Sequence, residues 1–396
     1  MKRIKMLVTV AAVAVTGTAV AILPMTVSSA AAACAPAWSA SAVYLNGNAA
    51  SYAGHNYTAK WWTQNENPST HSGQWDVWAD NGACGGGTPT PTPTTPPPTQ
   101  PPPTSSAGLR AAPYLYPGWG NPPAPATVMN ATGIRAFTIA FVLANGCNPV
   151  WDGEGGLTGG VHAGTINAIR AAGGDVVPSF GGYSGNKLGP NCATPELLAD
   201  AYQRVIDAFA LKAIDIDIEN YDEFENYTVQ DRILNALRIV KQRNPGVTTI
   251  LTFGTTTSGP SATGIRLINQ ARALGANVDI FAIMPFDFGG GANMYQNTVN
   301  ATEGLKNAVK AAFGYTDAQA YVRIGISGMN GLSDQQELTD VATWTRIRDY
   351  AKSHGLARFT FWAVNRDRPC PGGGVVSNCS GIAQNDWDFT RVTAGF

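Results

Sequence analysis

Eight runs rich in β-branched and aromatic residues, at 113–116, 134–143, 175–181, 213–219, 247–253, 278–287, 321–327 and 358–364, recur along the chain. Several are nearly continuous in apolar residues, the pattern of parallel strands covered by helices. Between them the apolar spacing becomes helical. Over 197–211, Leu198, Tyr202, Val205, Ile206 and Phe209 fall on one face, and 341–353 reads likewise. Eight strands alternating with helices predict an α/β domain at 108–396, a (β/α)8 TIM barrel in preference to a doubly wound sheet. The first helix is the weakest element, because 125–130 is short.

The fourth run, Ala213-Ile214-Asp215-Ile216-Asp217-Ile218-Glu219, alternates strictly. Asp215, Asp217 and Glu219 share one face of a strand, and the isoleucines share the other. In a barrel the isoleucines meet the helices and the acids face inward. Buried acids in a row repel one another, so at least one should hold a proton at neutral pH. Glu219, last in the row, falls at the C-terminal mouth where barrel active sites form. Two other readings of the row are an edge strand with solvated acids and a hard-cation site. The chain has four histidines and no H-E-x-x-H spacing, so neither metal nor cofactor is expected. The glycine-rich stretch 153–160 reads as a flexible loop rather than a phosphate cradle.

Composition divides the chain. Lys2, Arg3 and Lys5 precede an apolar run of about 6–23 and then small residues, which predicts a secretory signal peptide at 1–33 and a secreted, extracellular product. A membrane anchor and a lipid attached at Cys34 are the alternatives. Residues 88–106 are almost all threonine and proline, so 85–107 is a stiff linker between a module at 34–84 and the large domain. Six cysteines form an even set in an exported chain. The division suggests Cys34 with Cys84, Cys147 with Cys192, and Cys370 with Cys379. A net charge of −1 leaves no basic surface for nucleic acid. No membrane contact is expected after signal removal, and a monomer is expected.

The fourth strand resembles that of glycoside hydrolase family 18, which ends in D-x-x-D-x-D-x-E. Ser179, Gly181 and Gly182 match its S-x-G-G on the third strand, Met284, Phe286 and Asp287 its M-x-Y-D on the sixth, and Trp362 its tryptophan on the eighth. The resemblance implies a chitinase that uses substrate-assisted retaining hydrolysis. Glu219 would be the acid and base, Asp217 would orient the acetamido group and Asp215 would share a proton with Asp217. Asp287 would touch the same acetamido group and Trp362 would floor the sugar. Lys212 stands at the motif's first Asp, and Phe286 at a tyrosine that contacts the acetamido oxygen in many members. Tyr183, Tyr221 and Tyr295 are candidate replacements for that hydroxyl.

The module holds Trp38, Trp61, Trp62, Trp75 and Trp78. About fifty residues cannot bury so many indoles, so some must face outward to stack on sugars. If Trp61 and Trp62 lie in a strand, one packs and the other is exposed. The run 59–64 resembles the small all-β chitin-binding modules of carbohydrate-binding families 5 and 12, which implies Trp61, Trp62 and Tyr44 as contacts. Cellulose is the competing ligand. The expected partners are chitin and N-acetylglucosamine oligosaccharides. Alternatives are a non-catalytic lectin-like protein, an endo-β-N-acetylglucosaminidase acting on glycans and, less favoured, peptidoglycan hydrolysis.

Overall fold

The computed structural model describes residues 32–40, 42–73, 76–85, 109–153, 155–291 and 293–396, which fall into two compact units. The expected linker from residue 86 onward, and the expected leader up to residue 31, lie outside the described residues, as does Trp75; Gly85 ends a strand of the small unit.

In the small unit, strands run in the order Ala32–Ala33, Trp78–Gly85, His55–Ala59, Ala49–Tyr52. Tyr52 pairs with His55 across a two-residue turn in which Ala53 and Gly54 both have positive φ, as a primed hairpin turn requires. A second ladder joins Val43–Tyr44 to Thr63–Gln64. Ala50, Tyr57, Ala59 and Trp78 form the buried core, and Cys34–Cys84 ties the chain across it.

In the large unit all eight expected strands form: Tyr114–Leu115, Ala136–Asn145, Asp175–Gly181, Ala213–Ile218, Thr248–Gly254, Ile280–Met284, Ile324–Met329 and Arg358–Trp362. They are parallel neighbours in chain order. The eighth returns beside the first, where Phe359 N donates to Arg110 O at 2.9 Å and Thr360 Oγ1 donates to Ala112 O at 2.7 Å. The domain is a (β/α)8 barrel. The expected helices appear as Pro195–Phe209 and Val341–Ser353, and the short first helix as Pro125–Thr132, which opens on Pro125 and stops at Gly133 in the left-handed region.

Strand alternation sorts the interior. Ile214, Ile216 and Ile218 pack under the helices with Phe180, Leu251, Phe253 and Ile283, whereas Ala213, Val177, Ile250, Ile280 and Ala282 form a separate cluster of inward positions. Above that cluster the inward residues turn polar: Ser179 is paired with Asp215, and Thr252 with Asp217. The other cysteines pair as Cys147–Cys192 and Cys370–Cys379. Of residues 153–160, the described ones form turns and one isolated bridge, Trp151 to Gly155, before a helix begins at Gly160.

Candidate active site

Asp215 is the deepest acid of the row. Its Oδ2 accepts from Tyr114 Oη at 2.8 Å and Ser179 Oγ at 2.7 Å, and its Oδ1 accepts from Thr252 Oγ1 at 2.6 Å. Asp217, one pleat higher, is also buried, and its Oδ1 has no hydrogen-bond partner among the described residues. Burial, and then the charges of Glu219, Asp215 and Glu223, push its carboxyl well above the usual range. Glu219 lies just past the strand end and is part-exposed at the mouth. Burial raises it to about 7; Lys187 opposes the rise, and Asp287 and Asp334 add to it.

Asp287 follows the sixth strand in the left-handed region, with φ 56°. Its Oδ1 accepts from Gln335 N at 3.1 Å. The loop that carries it is held by the buried Glu337, which accepts from Asp287 N and Phe288 N, both at 2.7 Å, and from Gly290 N at 3.0 Å. Trp362 ends the eighth strand part-exposed, stacked on Phe141 with centroids 5.6 Å apart and planes 11° apart, beside Tyr114 and Tyr116. Met284 and Phe286 are part-buried on the way to Asp287. Gly181 and Gly182 both have positive φ, and a Cβ on Gly181 would stand 2.3 Å from Asp217 O, so the turn brings backbone against the acid strand.

Lys212 is exposed, and its Nζ pairs with Asp175 Oδ2 at 2.9 Å, at the start of the third strand and away from the mouth. Of the three candidate tyrosines, Tyr183 and Tyr221 are exposed just past the third and fourth strands. Tyr295 is on a helix with the Arg346 guanidinium over its ring at 3.8 Å. In the small unit Trp61 and Trp62 lie in a bend between strands, so the alternation that would bury one does not apply. They are 45% and 58% exposed. Tyr44 is half-buried against Trp78, with its hydroxyl accepting from Ser39 N at 2.8 Å.

Tyr114, Thr252, Lys187, Glu223 and Glu337 around the site were not singled out from sequence. Tyr114 and Thr252 occupy inward pleat positions and could have been read by extending the alternation to their strands. Lys187 and Glu223 lie in a loop and in the five-residue π-helical turn Asn220–Phe224, where no period marks a face.

A parallel barrel whose inward acids climb to a part-exposed, proton-retaining carboxyl at the C-terminal mouth places a candidate general acid where barrel active sites form. Residues 37–79 match the model of carbohydrate-binding module family 5/12. The chain is 24% identical over 353 residues, 85% of its length and 38% of the relative's, to a probable bifunctional chitinase/lysozyme of Escherichia coli K12. It is 25% identical over 251 residues, 60% of its length and 48% of the relative's, to endochitinase 11 of Metarhizium anisopliae. It therefore spans less than half of each of these two curated relatives. The solved catalytic domain of the hyperthermophilic chitinase of Pyrococcus furiosus superposes with a TM-score of 0.66 at 27% identity, covering 72% of this chain and 93% of that domain. The chain is thus a relative of chitinases that carries a family 5/12 carbohydrate-binding module.

Proposed function

We propose that the protein is a secreted chitinase that cleaves β-1,4 bonds between N-acetylglucosamine units. The observation that carries this reading is the acid row, in which Glu219 sits at the mouth with a proton affinity near neutral while Asp215 and Asp217 are buried behind it. Glu219 donates its proton to the glycosidic oxygen as the bond to the leaving sugar breaks. The carbonyl oxygen of the substrate's own acetamido group attacks the anomeric carbon, giving a cyclic oxazolinium ion with positive charge on the former amide. Asp217, whose Oδ1 is an unused buried acceptor, accepts a hydrogen bond from the amide N–H and so orients the acetamido oxygen toward the anomeric carbon. Water then opens the ring, giving its proton to Glu219, so the configuration is retained. Asp287 approaches the acetamido group from the sixth strand, and the Trp362–Phe141 stack supports the sugar.

Phe286 offers no hydroxyl at the acetamido group and favours a second reading, a sugar-binding barrel without turnover. Tyr183 and Tyr221, exposed just past the third and fourth strands, are the candidate donors in its place. The module's exposed Trp61 and Trp62 offer flat apolar surfaces for chitin chains. Signal-directed export agrees with three disulfides.

The test is release of soluble oligosaccharides from colloidal chitin by wild type and Glu219→Gln. Release by wild type and none by the variant supports the assignment. No release by a wild-type protein that still binds chitin leaves the sugar-binding reading, and an active variant removes Glu219 from its role.

A further inference from the structure

Lys187 and Glu223 lie behind the acid row and take no part in the chemistry above. Lys187 follows the third strand, its side chain only 1% exposed, with Nζ 3.0 Å from Asp222 Oδ1 and 3.4 Å from the main-chain oxygen of Glu219. Glu223 is buried where a Cβ on Gly189 would stand 2.6 Å from its Oε1 and one on Gly181 would stand 3.2 Å from its Oε2. Both glycines therefore leave room for its carboxyl. Its Oε2 has no hydrogen-bond partner among the described residues. The π-helical turn begins at Asn220, directly after Glu219, and carries both Asp222 and Glu223 toward the same ammonium. Such turns are uncommon and concentrate at functional sites. A buried ammonium is expensive to desolvate unless acids compensate it, and here they come from the segment that bears the proposed proton donor.

We propose that Lys187 is a positioning residue for the proton donor: its ammonium, fixed by Asp222, pins the backbone at Glu219 and sets the carboxyl's proton affinity, with Glu223 as the reserve counter-charge behind it. This rests on the assignment of Glu219 as acid. The titratable groups facing Glu219 are Lys187 from the third-strand loop, Asp217 from its own strand, Glu223 from the π-helical turn, Asp287 from the sixth-strand loop and Asp334 from the loop after the seventh. Asp287 and Asp334 make Glu219 hold its proton more tightly. Lys187 is the cation of the set, and it acts in the opposite sense. Glu223, raised by burial to about 8, is neutral over most of the working range and becomes a negative charge only in alkali.

The direct measurement is the titration midpoint of the Glu219 carboxyl, by NMR of the full chain carrying carboxyl-labelled glutamate, with the resonance identified by its loss in Glu219→Gln. No substrate is needed. Lys187→Met is expected to move the midpoint up by about one pH unit, and Lys187→Arg to restore it. Asp222→Asn removes a half-exposed acid beside the ammonium and should move it down; Glu223→Gln should not move it up. On soluble chito-oligosaccharides the alkaline limb of kcat/KM should follow the same order. A midpoint left in place by both Lys187→Met and Asp222→Asn would overturn the inference, and Asp222→Asn decides it if Lys187→Met does not fold. Lack of turnover in wild type would count against the hydrolase reading alone, because the midpoints are read without turnover.

Discussion

Tyr114 Oη donates to Asp215 Oδ2 at 2.8 Å, so the first strand holds the fourth through the first acid of the row. Ser179 and Thr252 reach the same carboxylate from the third and fifth strands. Three strands thus fix one side chain, and through it the pleat on which Asp217 stands. Tyr114→Phe should cost about 1–2 kcal/mol in chemical denaturation, because it leaves a buried carboxylate short of a donor. It should also lower kcat about tenfold with little change in KM. A variant with wild-type kcat would mean that Asp215 needs only two of its donors.

The proposed acid step requires protonated Glu219, so kcat/KM should fall as pH rises through about 7, the value to which burial raises this group. Asp287 adds to that rise, so Asp287→Asn should move the alkaline limb to lower pH as well as lowering the rate. A limb that stays in place, measured on soluble oligomers, would mean that some other group controls it.

Glu223 makes stability depend on pH. Its folded-state value, about 8, lies above that of an exposed glutamate, so between about 4.5 and 8 the folded state binds more proton than the unfolded state and stability falls as pH rises. Glu223→Gln should abolish that contribution, on the order of a few kcal/mol across the window. The gap between melting curves at pH 5 and pH 9 should therefore narrow in the variant, the part set by Glu219 and Asp217 remaining. An undiminished pH difference would place the effect elsewhere.

Glu337 holds three backbone amides of the loop after the sixth strand, at Asp287 N, Phe288 N and Gly290 N. Glu337→Gln turns one acceptor into a donor facing those amides. The expected loss is about 1–3 kcal/mol, with a higher KM for chito-oligosaccharides, because the backbone under Asp287 is released. Unchanged KM in a destabilised variant would confine Glu337 to a structural part.

Replacing both Trp61 and Trp62 by alanine removes two exposed indoles and leaves the module core of Tyr57 and Trp78 intact. Retention on insoluble chitin should drop by about tenfold or more, each indole stack contributing about 0.5–1.5 kcal/mol. Hydrolysis of soluble oligomers should be unaffected. Equal loss on both substrates would contradict an anchoring part.

The barrel was legible because each strand is an apolar run flanked by helical spacing, and the acid row because period-two alternation separates Asp215, Asp217 and Glu219 from their isoleucines. Lys212 shows the limit of matching motif positions: the residue at the motif's first aspartate is at the far end of the barrel, paired with Asp175. Trp61 and Trp62 show another, since adjacency implies opposite faces only within a strand. Lys187, Glu223 and Glu337 were hidden for a common reason. They reach the site from loops, whose paths are set by tertiary contacts rather than by any local period.

Gly182 has a left-handed backbone, and a Cβ there would come within 2.8 Å of Phe141 Cζ. Phe141 in turn lies nearly parallel to Trp362. The level of the indole at the mouth is therefore set from the third strand, through a phenyl ring of the second, by a hydrogen where other residues carry a methyl. A single carbon added there would tilt the surface on which a sugar rests without touching any acid.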